Sequence, residues 1–136
     1  MKIDGGCVCG EVTYEAEVDP EKVGLCNCTD CQKFSGSAFR MSVPAPDSEF
    51  RLLTGELKVY VKTAESGGKR EQAFCPECGT HFYSTSVGEG PKLLRLRTST
   101  ANQRDQLVPR SQGWMRSAQA WLADLPGLPG VDKQPG

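Results

Sequence analysis

Seven cysteines in three tight clusters constrain this chain more than any other feature of its sequence. The clusters read Cys7-Val8-Cys9, Cys26-Asn27-Cys28-Thr29-Asp30-Cys31 and Cys75-Pro76-Glu77-Cys78. An odd number of cysteines makes a disulfide framework a poor explanation, and inert buried thiols would have no reason to cluster. Thiols at these spacings are typical of metal sites, and we interpret all seven as ligands of two zinc ions.

The first predicted site is closed and structural. The Cys75–Cys78 turn has the form of a zinc knuckle: its proline presets φ, and the glycine after it can direct backbone amides at the thiolates. Cys7 and Cys9 are two residues apart, so on a strand they share a face and can supply the two missing ligands. The expected tetrahedral site is Cys7, Cys9, Cys75 and Cys78.

The second predicted site is open and catalytic. Cys26, Cys28 and Cys31 place three ligands within six residues, and catalytic zinc has three protein ligands and one vacant position. An ion held by three thiolates should accept an external thiolate and deprotonate that thiol at neutral pH. His81, the single histidine, is the alternative fourth ligand, but it follows Cys78 closely and is expected nearer the closed site. Iron remains an alternative metal, although the pattern suits it less well.

Hydrophobic alternation predicts a mainly β, antiparallel fold. Apolar and polar residues alternate along residues 11–18, 37–43 and 57–62, and shorter candidate strands are 50–54, 70–74, 81–85 and 93–97. Near the end, Trp114, Ala118, Trp121, Leu122 and Leu125 recur at helical spacing before Pro126. We expect a short C-terminal helix there whose tryptophans pack against the sheet. We therefore expect one domain over residues 1–125 and a mobile tail over residues 126–136.

Composition narrows the classes of function. The 16 Lys and Arg nearly balance the 17 Asp and Glu, with no basic stripe, which disfavours a nucleic-acid binder. No apolar run approaches the roughly 18 residues of a membrane span, and the first residues lack a secretory stretch. We therefore expect a cytoplasmic protein, in a compartment where thiols stay reduced.

The motifs around the cysteines resemble those of the glutathione-dependent formaldehyde-activating (GFA) family. Three segments carry this resemblance in order, over roughly residues 3–125: Gly6-Cys7-Val8-Cys9-Gly10, the run from Cys26 to Phe39, and Cys75-Pro76-x-Cys78-Gly79-Thr80 with Phe82-Tyr83. The chain departs from it at Asn27, where many members carry His, and at residues 97–102, where members often show Gly-Thr-Leu-Asp.

The resemblance implies an antiparallel β-tent built around two zinc sites. It implies a structural ion on Cys7, Cys9, Cys75 and Cys78, and a labile ion on Cys26, Cys28 and Cys31. It also implies the family's activity, a carbon–sulfur lyase reaction that joins glutathione to formaldehyde as S-(hydroxymethyl)glutathione. The expected partners are thus a thiol such as glutathione and a small aldehyde.

Two functions are consistent with these features. In the first, a thiol becomes a thiolate at the open zinc and attacks or releases an aldehyde carbon. Candidate donors to the aldehyde oxygen are Thr29, Lys33, Ser35 and Ser37, and candidate partners of a glutathione-like carboxylate are Lys33, Arg40, Arg95 and Arg97. In the second, the chain is a non-enzymatic zinc-stabilised module that binds a partner or senses thiols.

Overall fold

Short strands separated by turns make up most of the chain. The computed structural model describes residues 1–134, in which there are ten strands and one α-helix. They are β1 (Lys2–Gly6), β2 (Thr13–Glu17), β3 (Gly24–Cys26), α1 (Thr29–Ser35), β4 (Arg40–Pro46), β5 (Phe50–Thr54), β6 (Lys58–Thr63), β7 (Lys69–Phe74), β8 (His81–Ser86), β9 (Leu93–Arg97) and β10 (Ser111–Gly113).

The strands form two sheets. The small sheet has the order β1-β2-β5, and the large sheet has the order β10-β3-β4-β9-β8-β7-β6. Every pairing is antiparallel except the parallel pair of β10 with β3. A bridge between Gly5 and Ala101 joins β1 to the segment after β9. The predicted mainly β, antiparallel architecture is confirmed, with one parallel pair that the sequence did not indicate.

The hydrophobic core lies on one face of the large sheet. Tyr14 and Phe82 are fully buried there, and their ring centroids are 5.8 Å apart. The Tyr14 hydroxyl shares a 2.8 Å hydrogen bond with the Thr100 hydroxyl, which satisfies both buried groups. Val43 on β4 and Leu96 on β9 point to the same core and are opposite each other in register.

The other face of the large sheet is polar. Side chains alternate along a strand, so the neighbours of Val43 and Leu96, which are Ser42 and Arg97, point away from the core. These two residues are also opposite each other in register. Helix α1 lies over this polar face, with Phe34 near Tyr60 of β6 and His81 of β8.

The predicted short C-terminal helix is present but differs in type and extent. It is a 3₁₀ helix over Ala120–Gly127 that continues through Pro126, and a separate 3₁₀ turn at Met115–Ser117 precedes it. Trp114 and Trp121 are 46% and 48% exposed, so the prediction that they pack against the sheet is wrong. Apolar residues at a spacing of 3.6 do not share one face of a 3₁₀ turn, which has three residues per turn.

Two further predictions concern the ends of the chain and the membrane. The division into a domain at 1–125 and a mobile tail at 126–136 stays a prediction, and residues 135–136 lie outside the described residues. Among residues 1–134, no helix has both the length and the apolar character required to cross a membrane.

Candidate metal centres and the cleft beside them

The first cluster contains four sulfurs in a geometry that suits a tetrahedral ion. The Sγ atoms of Cys7, Cys9, Cys75 and Cys78 all lie within 4.8 Å of one another. The distance from Cys9 Sγ is 3.5 Å to Cys7 Sγ and 3.7 Å to Cys75 Sγ. A tetrahedral ion with zinc–sulfur bonds of about 2.3 Å requires sulfurs about 3.8 Å apart. The spacing and the soft donor set therefore fit zinc.

Local turn chemistry positions these sulfurs and favours the thiolate form of Cys78. Gly79 has a φ of 79° and donates its amide to the Cys75 carbonyl at 2.9 Å, which closes the knuckle. The Thr80 hydroxyl lies 3.2 Å from Cys78 Sγ. This hydroxyl, together with the backbone amides of Thr80 and Cys9, lowers the pKa of the Cys78 thiol to about 5. Cys78 is therefore a thiolate at neutral pH, which is the form that a metal requires.

The four-sulfur cluster lies where distant parts of the chain meet. Cys7 and Cys9 follow β1 of the small sheet, whereas Cys75 and Cys78 occupy the turn between β7 and β8 of the large sheet. Cys9 and Cys75 are separated by 66 positions in the sequence. An ion bound here would link the two sheets.

The second cluster contains three sulfurs around the start of α1. Cys26 ends β3, Cys28 is the N-cap of α1 and Cys31 lies in its first turn. The Cys31 amide donates a 3.2 Å hydrogen bond to Cys28 Sγ, and the three sulfurs lie within 4.8 Å of one another. Within residues 1–134, no fourth Cys, His, Asp or Glu joins this group, and His81 belongs to neither cluster. The protein thus provides three ligand atoms for a metal.

Two amide side chains hold the cysteine loop in place, and sequence reasoning missed both. Asn27 is fully buried, and its Nδ2 donates to the Gly113 carbonyl at 2.9 Å. Gln32 Nε2 donates to the Asn27 carbonyl at 2.8 Å and to the Ser117 carbonyl at 3.0 Å. The loop is therefore fixed between α1 and the C-terminal segment. For Asn27 the sequence contained a signal: an amide side chain between two candidate ligands needs hydrogen-bond partners when it is buried.

A cavity of about 540 Å³ opens beside Cys28. Its walls include Thr29 from α1, and Trp114 and Ser117 from the C-terminal segment. Of the predicted donors to a substrate oxygen, Thr29 is thus the one that shares a cavity with a cysteine of the three-sulfur cluster. The half-exposed Trp114 forms part of the cavity wall.

Two further cavities flank α1. One of about 600 Å³ is lined by Lys33, Phe34, Tyr60 and His81, among others. The second, of about 390 Å³, is lined by Phe34, Ser35, Ser37, Phe39, Arg40, Met41, Gly79, Thr80, His81, Arg97 and Ser99, and we call it the arginine cavity. The structure therefore brings Ser35, Ser37, Arg40 and Arg97 together, whereas Arg95 lines a different cavity.

His81 lies between a cation and an aromatic ring. Its Nδ1 is 3.5 Å from Arg97 Nη2, and its ring centroid is 5.5 Å from that of Phe34. Burial, together with the positive charge of Arg97, lowers the pKa of His81 to about 3. The imidazole is therefore neutral at physiological pH, and Nδ1 is the acceptor for the Arg97 N–H.

The order and spacing of these clusters agree with a known family. The family described as "Glutathione-dependent formaldehyde-activating enzyme" (GFA) matches residues 2–117, a range that includes all seven cysteines. The chain belongs to the GFA family. The family is described as one of enzymes that activate formaldehyde. The two cysteine clusters of this GFA-family chain could hold metal ions, consistent with zinc.

A solved structure shares the fold of this GFA-family chain. It is the crystal structure of a Rhodobacter sphaeroides protein, a structural genomics target, with 20% sequence identity and a TM-score of 0.59. The similarity covers 80% of this chain and 98% of that one. No curated protein matches the GFA-family chain.

Proposed function

We propose that this GFA-family chain is a zinc-dependent enzyme that forms and cleaves the carbon–sulfur bond of a thiol–aldehyde adduct. The proposed reaction is that of an S-(hydroxymethyl)glutathione synthase, with glutathione as the thiol and formaldehyde as the aldehyde, and is classed as a carbon–sulfur lyase reaction. One observation carries the proposal. Cys26, Cys28 and Cys31 form a three-sulfur group, and Cys28 borders a cavity of about 540 Å³ that can admit a substrate.

The two clusters have different roles in this proposal. The four-sulfur cluster of Cys7, Cys9, Cys75 and Cys78 would hold a structural zinc ion, because four protein ligands leave no position for a substrate. The three-sulfur cluster would hold the catalytic zinc ion. Zinc bound there would lower the pKa of the substrate thiol, so that the thiol reacts as a thiolate at neutral pH.

The protein's own groups position the reactants. The Cys31 amide orients the Cys28 sulfur, while Asn27 and Gln32 fix the loop that carries both. In the forward reaction the substrate sulfur bonds to the aldehyde carbon, and the carbonyl oxygen gains the proton that the thiol lost. Thr29, on the wall of the same cavity, is the proposed hydrogen-bond donor to that oxygen. The reverse steps release the aldehyde.

Exchange between free and glutathione-bound formaldehyde tests this function. The zinc-loaded protein should accelerate the exchange of ¹³C-formaldehyde with glutathione above the spontaneous rate, as measured by NMR exchange spectroscopy. Cys28→Ser should lower the catalysed rate more than about 100-fold, since even outer-shell changes at metal sites cost 10–100-fold. Ser48→Ala, in a cavity beside the small sheet, is the matched control and should match the wild type.

The fold of each variant is checked by circular dichroism before the exchange rate is compared. A folded Cys28→Ser variant with the wild-type exchange rate would contradict the proposal. A wild-type protein that binds glutathione but leaves the exchange rate unchanged would favour the thiol-sensing module instead.

A further inference from the structure

Aromatic side chains line the cavity of about 600 Å³ beside α1, which we call the aromatic cavity. Its walls include Phe34 from α1, Tyr60 from β6, Phe74 from β7 and His81 from β8. The ring centroid of Phe34 lies 6.3 Å from that of Tyr60 and 5.5 Å from that of His81. Rings at such separations present the edges and faces against which a further aromatic ring packs.

Two of these rings remain exposed in the free protein. Phe34 is 36% exposed and Tyr60 is 56% exposed. The sheet register pairs Tyr60 with Gln72, so Tyr60 lies on the polar face beneath α1, whereas its neighbour Val59 lies on the opposite face. Concave sites lined by exposed aromatic groups are typical of binding sites for small molecules. A ring bound here would therefore cover apolar surface that the protein leaves open.

The charges around the aromatic cavity favour a neutral occupant. Of the charged residues that line it, Asp30 forms an ion pair with Lys62, and Lys33 has an exposed side chain. His81 is the further titratable group of the four walls, and burial together with the charge of Arg97 lowers its pKa to about 3. The imidazole is therefore uncharged at neutral pH. A neutral ring pays no cost of charge desolvation in such surroundings.

The aromatic cavity adjoins the cavity beside Cys28. Asp30 lines both cavities, and its Oδ2 accepts a 3.0 Å hydrogen bond from Lys62 Nζ. Tyr60 lines the aromatic cavity and Lys62 lines the cavity beside Cys28. These two residues are two positions apart on β6, so their side chains share a face about 7 Å apart. An aldehyde group beside Cys28 therefore needs a substituent of about this length to place a ring against Phe34.

We propose that the aromatic cavity binds the ring of a neutral aromatic aldehyde whose carbonyl group reacts beside Cys28. The aldehyde class of this site then extends beyond formaldehyde, whose single carbon leaves the aromatic cavity empty. The thiol sulfur bonds to the carbonyl carbon and the thiol proton passes to the carbonyl oxygen, so the reaction needs no further reactant. This inference rests on the proposed function for the reaction, whereas binding of the ring is a separate contact.

The first test compares two aldehydes in the zinc-loaded protein, with glutathione as the thiol. Phenylacetaldehyde and acetaldehyde differ by one phenyl ring, and kcat/KM above the spontaneous rate should favour phenylacetaldehyde about tenfold or more, because the ring is buried. Tyr60→Ser should lower this ratio about fivefold, as expected for the loss of one aromatic pair. Val59→Ser, on the same strand but on the opposite face of the sheet, is the matched control and should keep the ratio.

The second test needs no catalysis. Benzyl alcohol carries the ring but has neither a thiol nor an aldehyde group, and its titration should shift the NMR signals of the Phe34, Tyr60 and Phe74 rings. Its binding should be about fivefold weaker in Tyr60→Ser than in Val59→Ser. These shifts in a protein that does not accelerate exchange would support the aromatic site and reject the proposed function. Equal kcat/KM for the two aldehydes, or equal losses in the two variants, would overturn the inference.

Discussion

His81 shows how the surroundings of one residue decide its chemistry. As the single histidine of a cysteine-rich chain it could have been a metal ligand, but it lies in neither cluster. Arg97 is its near neighbour, with 3.5 Å between Arg97 Nη2 and His81 Nδ1. A nearby cation and burial both disfavour the imidazolium form. His81 is therefore a neutral hydrogen-bonding group.

This environment predicts that His81 does not titrate in the physiological range. Its pKa of about 3 lies well below the usual value, so the imidazole should stay neutral from pH 8 down to pH 5.5. The measurement is the pH dependence of the imidazole signals in the NMR spectrum of the zinc-loaded protein. The same protein unfolded in urea is the control, where the signals should shift with a midpoint near 6.5. A midpoint near that value in the folded protein would contradict this prediction.

At the residue level, the sequence indicated which cysteines lie together better than it indicated their surroundings. The structure forms the same two groups of cysteines that the spacing predicted, because few donor types bind zinc and their local geometry follows from short motifs. The positions of Asn27, Gln32 and Arg97 depend on contacts with residues far along the chain. Hydrophobic periodicity carries no information about such contacts.

At the level of elements, α1 and the segment after β10 hold the three-sulfur cluster between them. Gln32 of α1 bonds to the carbonyls of Asn27 and Ser117, and Gln119 Nε2 donates to Gln32 Oε1 at 3.0 Å. Because β10 is only three residues long, these side-chain bonds contribute much of the attachment of the C-terminal segment. The cavity beside Cys28 depends on this attachment, since Trp114 and Ser117 form part of its wall.

Removal of the Gln32 amide should release this segment. Gln32→Ala leaves two carbonyls without their donor, at a cost of about 1–3 kcal/mol for groups that remain buried. Trypsin should then cleave after Arg116 about tenfold faster than in the wild type, as followed by mass spectrometry. Gln119→Ala removes only the hydrogen bond from Gln119 to Gln32 Oε1 and should have a smaller effect on the cleavage rate. Equal cleavage rates in all three proteins would show that Gln32 does not hold the segment.

The elements differ in how well the sequence predicts them. Each predicted strand corresponds to an observed one. The alternation has a buried face behind it along β2, whereas β5 and β6 are mostly exposed. Helix α1 was missed because it has seven residues, none of them buried, and its N-cap is a cysteine. The predicted C-terminal helix is a 3₁₀ helix preceded by a 3₁₀ turn, since Pro126 and the left-handed φ of 52° at Trp114 disfavour a regular α-helix.

At the level of the whole molecule, the two clusters should contribute differently to stability. The four-sulfur cluster connects the small sheet to the turn between β7 and β8, so an ion there closes a long loop of chain. The three-sulfur cluster involves residues only five positions apart at most, and therefore constrains the fold far less. Loss of the ion from the three-sulfur cluster should thus leave the protein folded, whereas loss of the ion from the four-sulfur cluster should unfold it.

A native mass spectrum of the chain with zinc and glutathione, recorded as a chelator is added, tests whether the three-sulfur cluster holds a zinc ion that binds the thiol. We expect two zinc ions and one bound glutathione before the chelator is added. The glutathione should leave together with the ion of the three-sulfur cluster, which is lost first. The low charge states of a folded protein should persist until the ion of the four-sulfur cluster is lost. Cys28→Ser should retain one ion and bind no glutathione. A glutathione adduct that persists on the one-zinc protein, or in folded Cys28→Ser, would contradict a thiol-binding zinc at Cys26, Cys28 and Cys31.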